Sequence, residues 1–492
     1  MSKKNGSAAA KVALLQGAEK PIIAQFDQKK GGVNTVIMTN FKCDQNQVPT
    51  QSANGSTVPL VGTQKRDAEV GEYDPFQHRS LPHPTSDTDT LIHLLKGSLG
   101  SGILAMPLAF HHAGLFFGLA CTFAIGCICT YCVHILVKSA HELYRRQRVP
   151  SLGFAEVAEA AFLTGPKAFH PWARFAKAMI NFFLVADLLG CCCVYVVFVA
   201  KNVKQVVDVY TPEDYHYDLR IYMATMLPIL ILINLLRNLK YLSPMSMMAN
   251  VLVGVGLGIT FYYIFSDLPS LDSRPHFSSV TTLPAFFGTA IFALEGIGVV
   301  MPLENNMKTP QHFIGCPSVL NIGMFCVIML YASVGFFGYL KYGDAVEIGS
   351  ITLNLPDVPL AQSVKLMIAV AIFFTYALQF YVPMEIIWKA VKNNFERKTL
   401  AEYSIRISLV TLTVILAILI PNLGGFISLV GAVCLSMLGL IFPSVIELVT
   451  FYEDPGLGRF NWRLWKNMFL ICFGLLGFVT GTYVSIQEII QG

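Results

Sequence analysis

The sequence predicts an all-α integral membrane protein with about eleven transmembrane helices, of which the first and sixth are broken. Three observations carry this expectation. A soluble chain is about 45–50% apolar and about 25% charged, whereas this one is 54% hydrophobic and 13% charged, with a mean hydropathy of +0.55. Its charge has been removed without substitution by other polarity, as a lipid solvent requires. Apolar runs of about 20 residues, enough to cross a bilayer as helices, recur from residue 90 to the end. Two of those runs carry glycine clusters at mid-length.

Residues 1–85 are polar, rich in Gly, Ser, Asn, Gln and Lys, and lack any sustained period. That composition predicts a disordered tail. It holds glycosylation-type triplets at Asn5 and Asn54, and Tyr73-Asp-Pro-Phe76, which fits a tyrosine-type sorting signal. The short apolar piece Val12–Leu15 falls far below the length of a signal-peptide core.

The membrane domain spans 86–490. Its spans read 90–112, 114–138, 173–200, 220–237, 241–266, 283–303, 316–340, 362–388, 403–421, 424–449 and 465–488. Between the second and third, Phe154 to Phe162 reads as an amphipathic helix lying along the protein's inner mouth or on lipid. Lys and Arg concentrate in cytosolic loops. An inside N-terminus puts eighteen of them inside, Arg145, Arg146, Lys389 and Arg459 included, and six outside, at Lys201, Lys204, Arg220, Arg274, Lys341 and Lys365. An odd number of spans then leaves the C-terminus outside or luminal. The twelve cysteines form no metal-type pair of pairs and read as packing residues, with no disulfide expected outside.

Span one contains Gly97, Ser98, Gly100, Ser101 and Gly102 within six residues, followed by Pro107. Span six contains Glu295, Gly296 and Gly298, followed by Pro302. Glycine continues a helix poorly, and irregular backbone at mid-membrane survives only inside protein or beside a watery cavity. Matched interruptions in two halves point to a transporter site. The candidate repeat units are therefore about 86–266 and 283–449, with 465–488 as an extra helix. Close helix packing by small residues explains one glycine run but poorly explains two.

Helix ends supply the chemistry. The outer half of span one starts near Gly100–Gly102, where free N–H groups carry partial positive charge. The inner half, and the first half of span six, end in free carbonyls. Opposite poles a few ångströms apart suit an α-amino acid zwitterion, and no cofactor is needed.

These stretches also resemble a known family. Thr90 to Gly102 is similar to the first helix of the proton-assisted, or proton-coupled, amino-acid transporters. They belong to the amino acid/auxin permease group of the amino acid-polyamine-organocation superfamily. The resemblance continues through Leu188–Tyr195, Glu295–Asn305 and Phe373–Pro383, in order and correctly spaced, and covers roughly 86–490. It implies a five-plus-five inverted repeat of the LeuT-like kind. It also implies carriage of small neutral amino acids such as glycine, alanine and proline, often with protons, at the plasma membrane or a lysosomal or endosomal membrane.

Ionisable side chains within a bilayer ask for a reason. Glu295, at the second break, either takes up the coupled proton or bonds the free amides there. His93, one turn before the first break and near Lys96, is a proton site by family resemblance or makes a structural hydrogen bond. Asp187 stands where the resembling family has an uncharged polar residue, as a second acid, a modifier of substrate size, or an interhelical bond. Phe292 either closes over substrate or simply packs. Thr375 could serve a sodium site, which keeps sodium coupling open beside protons, as it does an uncoupled carrier. A nutrient sensor signalling through the tail is a further alternative. Enzyme motifs are absent from the sequence, and a scattered net charge of +4 gives no footing for nucleic acid.

Overall fold

The computed structural model describes residues 73–491 apart from 80, 82, 83, 99, 237–242, 295, 347 and 348. Asn5, Asn54, Cys43 and the first 72 residues of the expected tail lie outside the described residues, as does Glu295.

The first span is two helices, α1 (Asp87–Ser98) and α2 (Gly102–Ala113), which meet at 57°. Then come α3 (Leu115–Gln147), the short α4 (Phe154–Thr164), α5 (Ala173–Tyr210), α6 (Leu219–Asn234) and α7 (Ser243–Phe265). The sixth span is α8 (Leu283–Leu294) and α9 (Ile297–Asn305), running on in one direction as Leu283–Asn305. It is followed by α10 (Val319–Tyr342), α11 (Pro359–Val391) and α12 (Lys398–Leu419). The tenth span joins α13 (Leu423–Val430), a π-helical stretch Gly431–Ile441 and α14 (Phe442–Thr450); α15 (Trp462–Gln491) closes the chain. Among the described residues, nine helices are long and apolar enough to cross a membrane, the bent pair adds a tenth, and the shorter α6 makes the eleventh. A broken span and four more, then a second interrupted span and four more, follow one another in the order of the expected five-plus-five repeat.

Several helices outrun the apolar runs that announce them. In α3 the last turns are held by Glu142, which accepts from Arg145 at 2.6 Å and Arg146 at 2.8 Å; such i,i+3 and i,i+4 pairs carry a helix on into water. The α4 helix packs on protein, burying Phe154, Ala155, Val157, Ala158, Ala160 and Ala161 against α5, α14 and α3. Large apolar side chains such as Phe182, Leu232, Val251, Leu419 and Leu476 face outward, the arrangement expected where the surrounding solvent is lipid.

The two broken spans form the centre. A Cβ placed on Gly102 would lie 2.7 Å from the Ala293 backbone, and one on Gly431 would lie 2.0 Å from the Gly288 carbonyl oxygen. Glycine therefore lets α2 and the tenth span approach α8 at backbone distance, as small residues do in membranes. Two buried acids away from the breaks are paired: Glu402 with Arg406 at 3.1 Å, and Glu447 with Lys466.

Candidate site at the breaks of spans one and six

At the first break the α1 helix ends on the Ser98 carbonyl, which accepts from the buried Tyr331 hydroxyl of α10 and from the Gly100 amide at 3.1 Å. This carbonyl of the expected cation cradle is thus partly satisfied by the protein itself. On the other side of the break α2 starts without a side-chain cap. The Ser101 hydroxyl is buried and finds no partner among the described residues. An uncapped helix start keeps its positive pole available to an anion.

The two breaks face each other. A Cβ on Gly296 would lie 3.4 Å from Ser98 Oγ, and one on Gly97 would lie 3.3 Å from Val299 of α9. Among the described residues, a Cβ on Gly100 would meet nothing within 4 Å, and one on Gly298 would touch Leu184 of α5, at 3.8 Å. Gly97, Gly100 and Gly298 are exposed although they sit in the middle of their spans, and at Gly100 no described residue fills the place where a side chain would stand. Gly102 is different: buried against Ala293, it serves packing. Phe292 is buried on α8, with its Cβ 2.9 Å from where a Cβ on Gly431 would stand.

His93 is buried on α1, and its Nδ1 has no partner among the described residues. Thr375 is half-buried and donates to the Ala371 carbonyl of its own helix at 2.8 Å. Its hydroxyl hydrogen is therefore spent locally, while its oxygen can still accept.

A second cluster lies on the side from which the chain enters, the tail side. Within the expected tail, Tyr73–Arg79 is packed against the helices. Glu304, at the end of α9 and fully buried, accepts from Arg79 at 2.9 Å through Oε1, shares that oxygen with His141 Nε2 at 2.9 Å, and accepts from Tyr144 at 3.2 Å through Oε2. Arg79 also donates to the carbonyls of Glu304 at 3.1 Å and Pro150 at 2.8 Å, and lies over the Phe76 and Tyr144 rings. The Tyr73 ring stacks on His78, and Phe76 meets His141 edge-on. Just beyond, Thr85 pairs through its backbone with Asn306 at 2.8 Å and Lys308 at 2.9 Å, and Asp87 accepts from Thr309 at 2.7 Å. The start of α1 is thereby tied to the end of α9. Sequence reasoning missed Glu304. It lies inside the Glu295–Asn305 motif, at a helix end where an acid reads as surface, and its cation is 225 residues away.

With this geometry in place, the comparisons are specific. Residues 83–487 match the family model described as transmembrane amino acid transporter protein. The chain is 48% identical over 446 residues to the proton-coupled amino acid transporter-like protein pathetic of Drosophila melanogaster, covering 89% of this chain and 93% of that protein. It is 25% identical over 417 residues to the probable amino acid transporter skat-1 of Caenorhabditis elegans, covering 82% and 90%. Among solved structures, Mhp1, a nucleobase-cation-symport-1 family transporter, is similar at a TM-score of 0.46 and 14% identity, over 86% of this chain and 94% of that one. Glycine-interrupted spans at matched positions, with uncapped helix ends facing open space, are found in a chain that belongs to the transmembrane amino acid transporter protein family, a family of carriers and not of enzymes.

Proposed function

We propose that this protein carries small neutral amino acids of the glycine, alanine and proline kind by alternating access, with a proton as the coupled ion. The observation that carries this reading is the uncapped start of α2 beside the open space at Gly100. The amides there would hold the substrate carboxylate, and the carbonyl ends of α1 and α8 would hold its ammonium. Gly97, Ser98, Gly100, Ser101, Gly296 and Gly298 would form the floor, Phe292 and Glu295 would flank it, and Gly102 would keep the helices close. A floor without side chains leaves room for the backbone-like atoms of any amino acid, while the crowding of α2 and the tenth span onto α8 favours a small side chain.

Proton coupling is supported by the name of the Drosophila relative and by the buried His93 one turn before the first break; His93 and Glu295 would be the proton-coupling residues. We place the tail-side face and the N-terminus in the cytosol and the C-terminus outside or in a lumen, following the Lys and Arg asymmetry. Residues 1–85 form a cytosolic tail and 86–490 the carrier, in a plasma or lysosomal membrane.

The test is uptake by the purified full chain in proteoliposomes. Labelled glycine, alanine and proline should enter with acidification of the lumen, and uptake should persist when sodium is replaced. Uptake that stops without sodium rejects the proton and returns attention to Thr375. Saturable binding with no counterflow rejects transport in favour of sensing.

A further inference from the structure

The other buried carboxylates described above, Glu304, Glu402 and Glu447, each have a cationic partner. Asp187 on α5 does not follow that pattern. It is 9% exposed, and its Oδ1 meets no hydrogen-bond partner among the described residues. Its surroundings follow from helical spacing. Leu184, one turn earlier on the same face, is the residue that a Cβ on Gly298 would touch, at 3.8 Å. Gly190, one turn later, sits against Val430 of the tenth span, where a Cβ would lie 2.8 Å from Val430 Cγ2. Asp187 therefore faces the wedge between the second break and the tenth span, beside the exposed Gly298. The titratable groups around it are Cys191, Cys192 and Tyr195 on its own helix and Cys434 on the tenth span; none of these is a cation.

We infer that Asp187 is the group that holds the coupled proton while the site is closed. This rests on the reading of the protein as a proton-coupled carrier and names the residue that does the coupling. An ionised carboxyl without a partner is costly to seal away from water. With substrate bound and water expelled, the site closes only when Asp187 has taken a proton and become a neutral acid. The proton leaves to water when the site opens on the other side. The empty site returns with water in place of substrate, which hydrates the carboxylate. Substrate without a proton is thereby kept from crossing, and His93 and Glu295 act as relays rather than as the store.

The experiment compares the wild-type full chain with Asp187→Asn in proteoliposomes, using labelled glycine, alanine and proline. Two readouts are taken: counterflow against preloaded substrate, and accumulation driven by an imposed pH gradient. One proton per substrate concentrates it about tenfold per pH unit, the factor that one pKa unit represents. Wild type should approach that ratio. Asp187→Asn should retain counterflow that no longer varies with pH, and its accumulation ratio should fall to about one. An Asn variant that still concentrates substrate with pH overturns the assignment while leaving the coupling reading intact. A wild type that exchanges these amino acids at a ratio of one overturns the coupling reading and this assignment together. If Asp187→Asn loses counterflow as well, Asp187→Glu decides. Restored accumulation with a displaced pH profile supports the assignment, and an undisplaced profile overturns it.

Discussion

Replacing Arg79 with Ala should release the tail-side cluster. In the native protein Arg79 and Glu304 are 2.9 Å apart with side chains 5% and 0% exposed. At that separation, an effective dielectric of about 20 gives an attraction of about 6 kcal/mol. Removing one partner of a buried pair costs about 3–5 kcal/mol. His141 and Tyr144 remain on the Glu304 oxygens, so the loss should sit at the lower end. About 3 kcal/mol corresponds to a factor of about 150 in the balance between packed and detached tail, at 1.36 kcal/mol per tenfold. Chymotrypsin reads this directly, because Tyr73 and Phe76 are its targets and lie within the packed segment. Where reclosing outpaces cleavage, the cutting rate tracks the detached population. Arg79→Ala should therefore be cut up to about 150-fold faster than wild type. Residues that share one interaction are not additive, so Arg79→Ala with Glu304→Gln should be cut no faster than the faster single variant. Equal cutting of Arg79→Ala and wild type would refute an energetically significant contact. Full additivity would show that Arg79 acts through some other group.

The glycines of the first break should separate by role. Gly102→Ala, with its Cβ 2.7 Å from the Ala293 backbone, should lower thermal stability by an amount typical of overpacking, about 1–3 kcal/mol. Gly100→Ala, whose Cβ would meet no described residue within 4 Å, should leave the melting temperature unchanged and raise the KM for uptake; equal destabilisation by the two would contradict the open space. Tyr331→Phe removes one donor from the Ser98 carbonyl and leaves the Gly100 amide. It should cost about 1 kcal/mol in a thermal-shift measurement, and no loss would mean that water replaces the hydroxyl.

The spans were legible because each is a run of apolar residues whose length is set by the bilayer, a signal that needs no knowledge of neighbours. Both breaks were legible because in each span clustered glycines are followed within a few residues by a proline, Pro107 and Pro302. The helix ends were less so. Gln147 lies well past the expected end at 138 because charged pairs on the helix itself, Glu142 with Arg145 and Arg146, continue it beyond the apolar run. The tail was harder again. Tyr73–Arg79 has the composition of a disordered segment, and what orders it is one arginine that reaches a buried acid 225 residues away. Periodicity carries no trace of such a pairing. At the site, spacing separated no glycine that packs from one that borders open space. That distinction between Gly102 and Gly100 depends on which helix stands opposite.

The ties between the start of α1 and the end of α9 have a mechanical consequence. These half-helices touch near the breaks, through Gly97 with Val299 and Gly296 with Ser98, and are stitched again at the far end through Thr85, Asn306, Lys308, Asp87 and Thr309. Two rods fastened at both ends behave as a single beam. Neither can swing alone without breaking one set of joints. Arg79, bonded to the backbone and carboxylate of Glu304, grips this beam at the end farthest from the breaks.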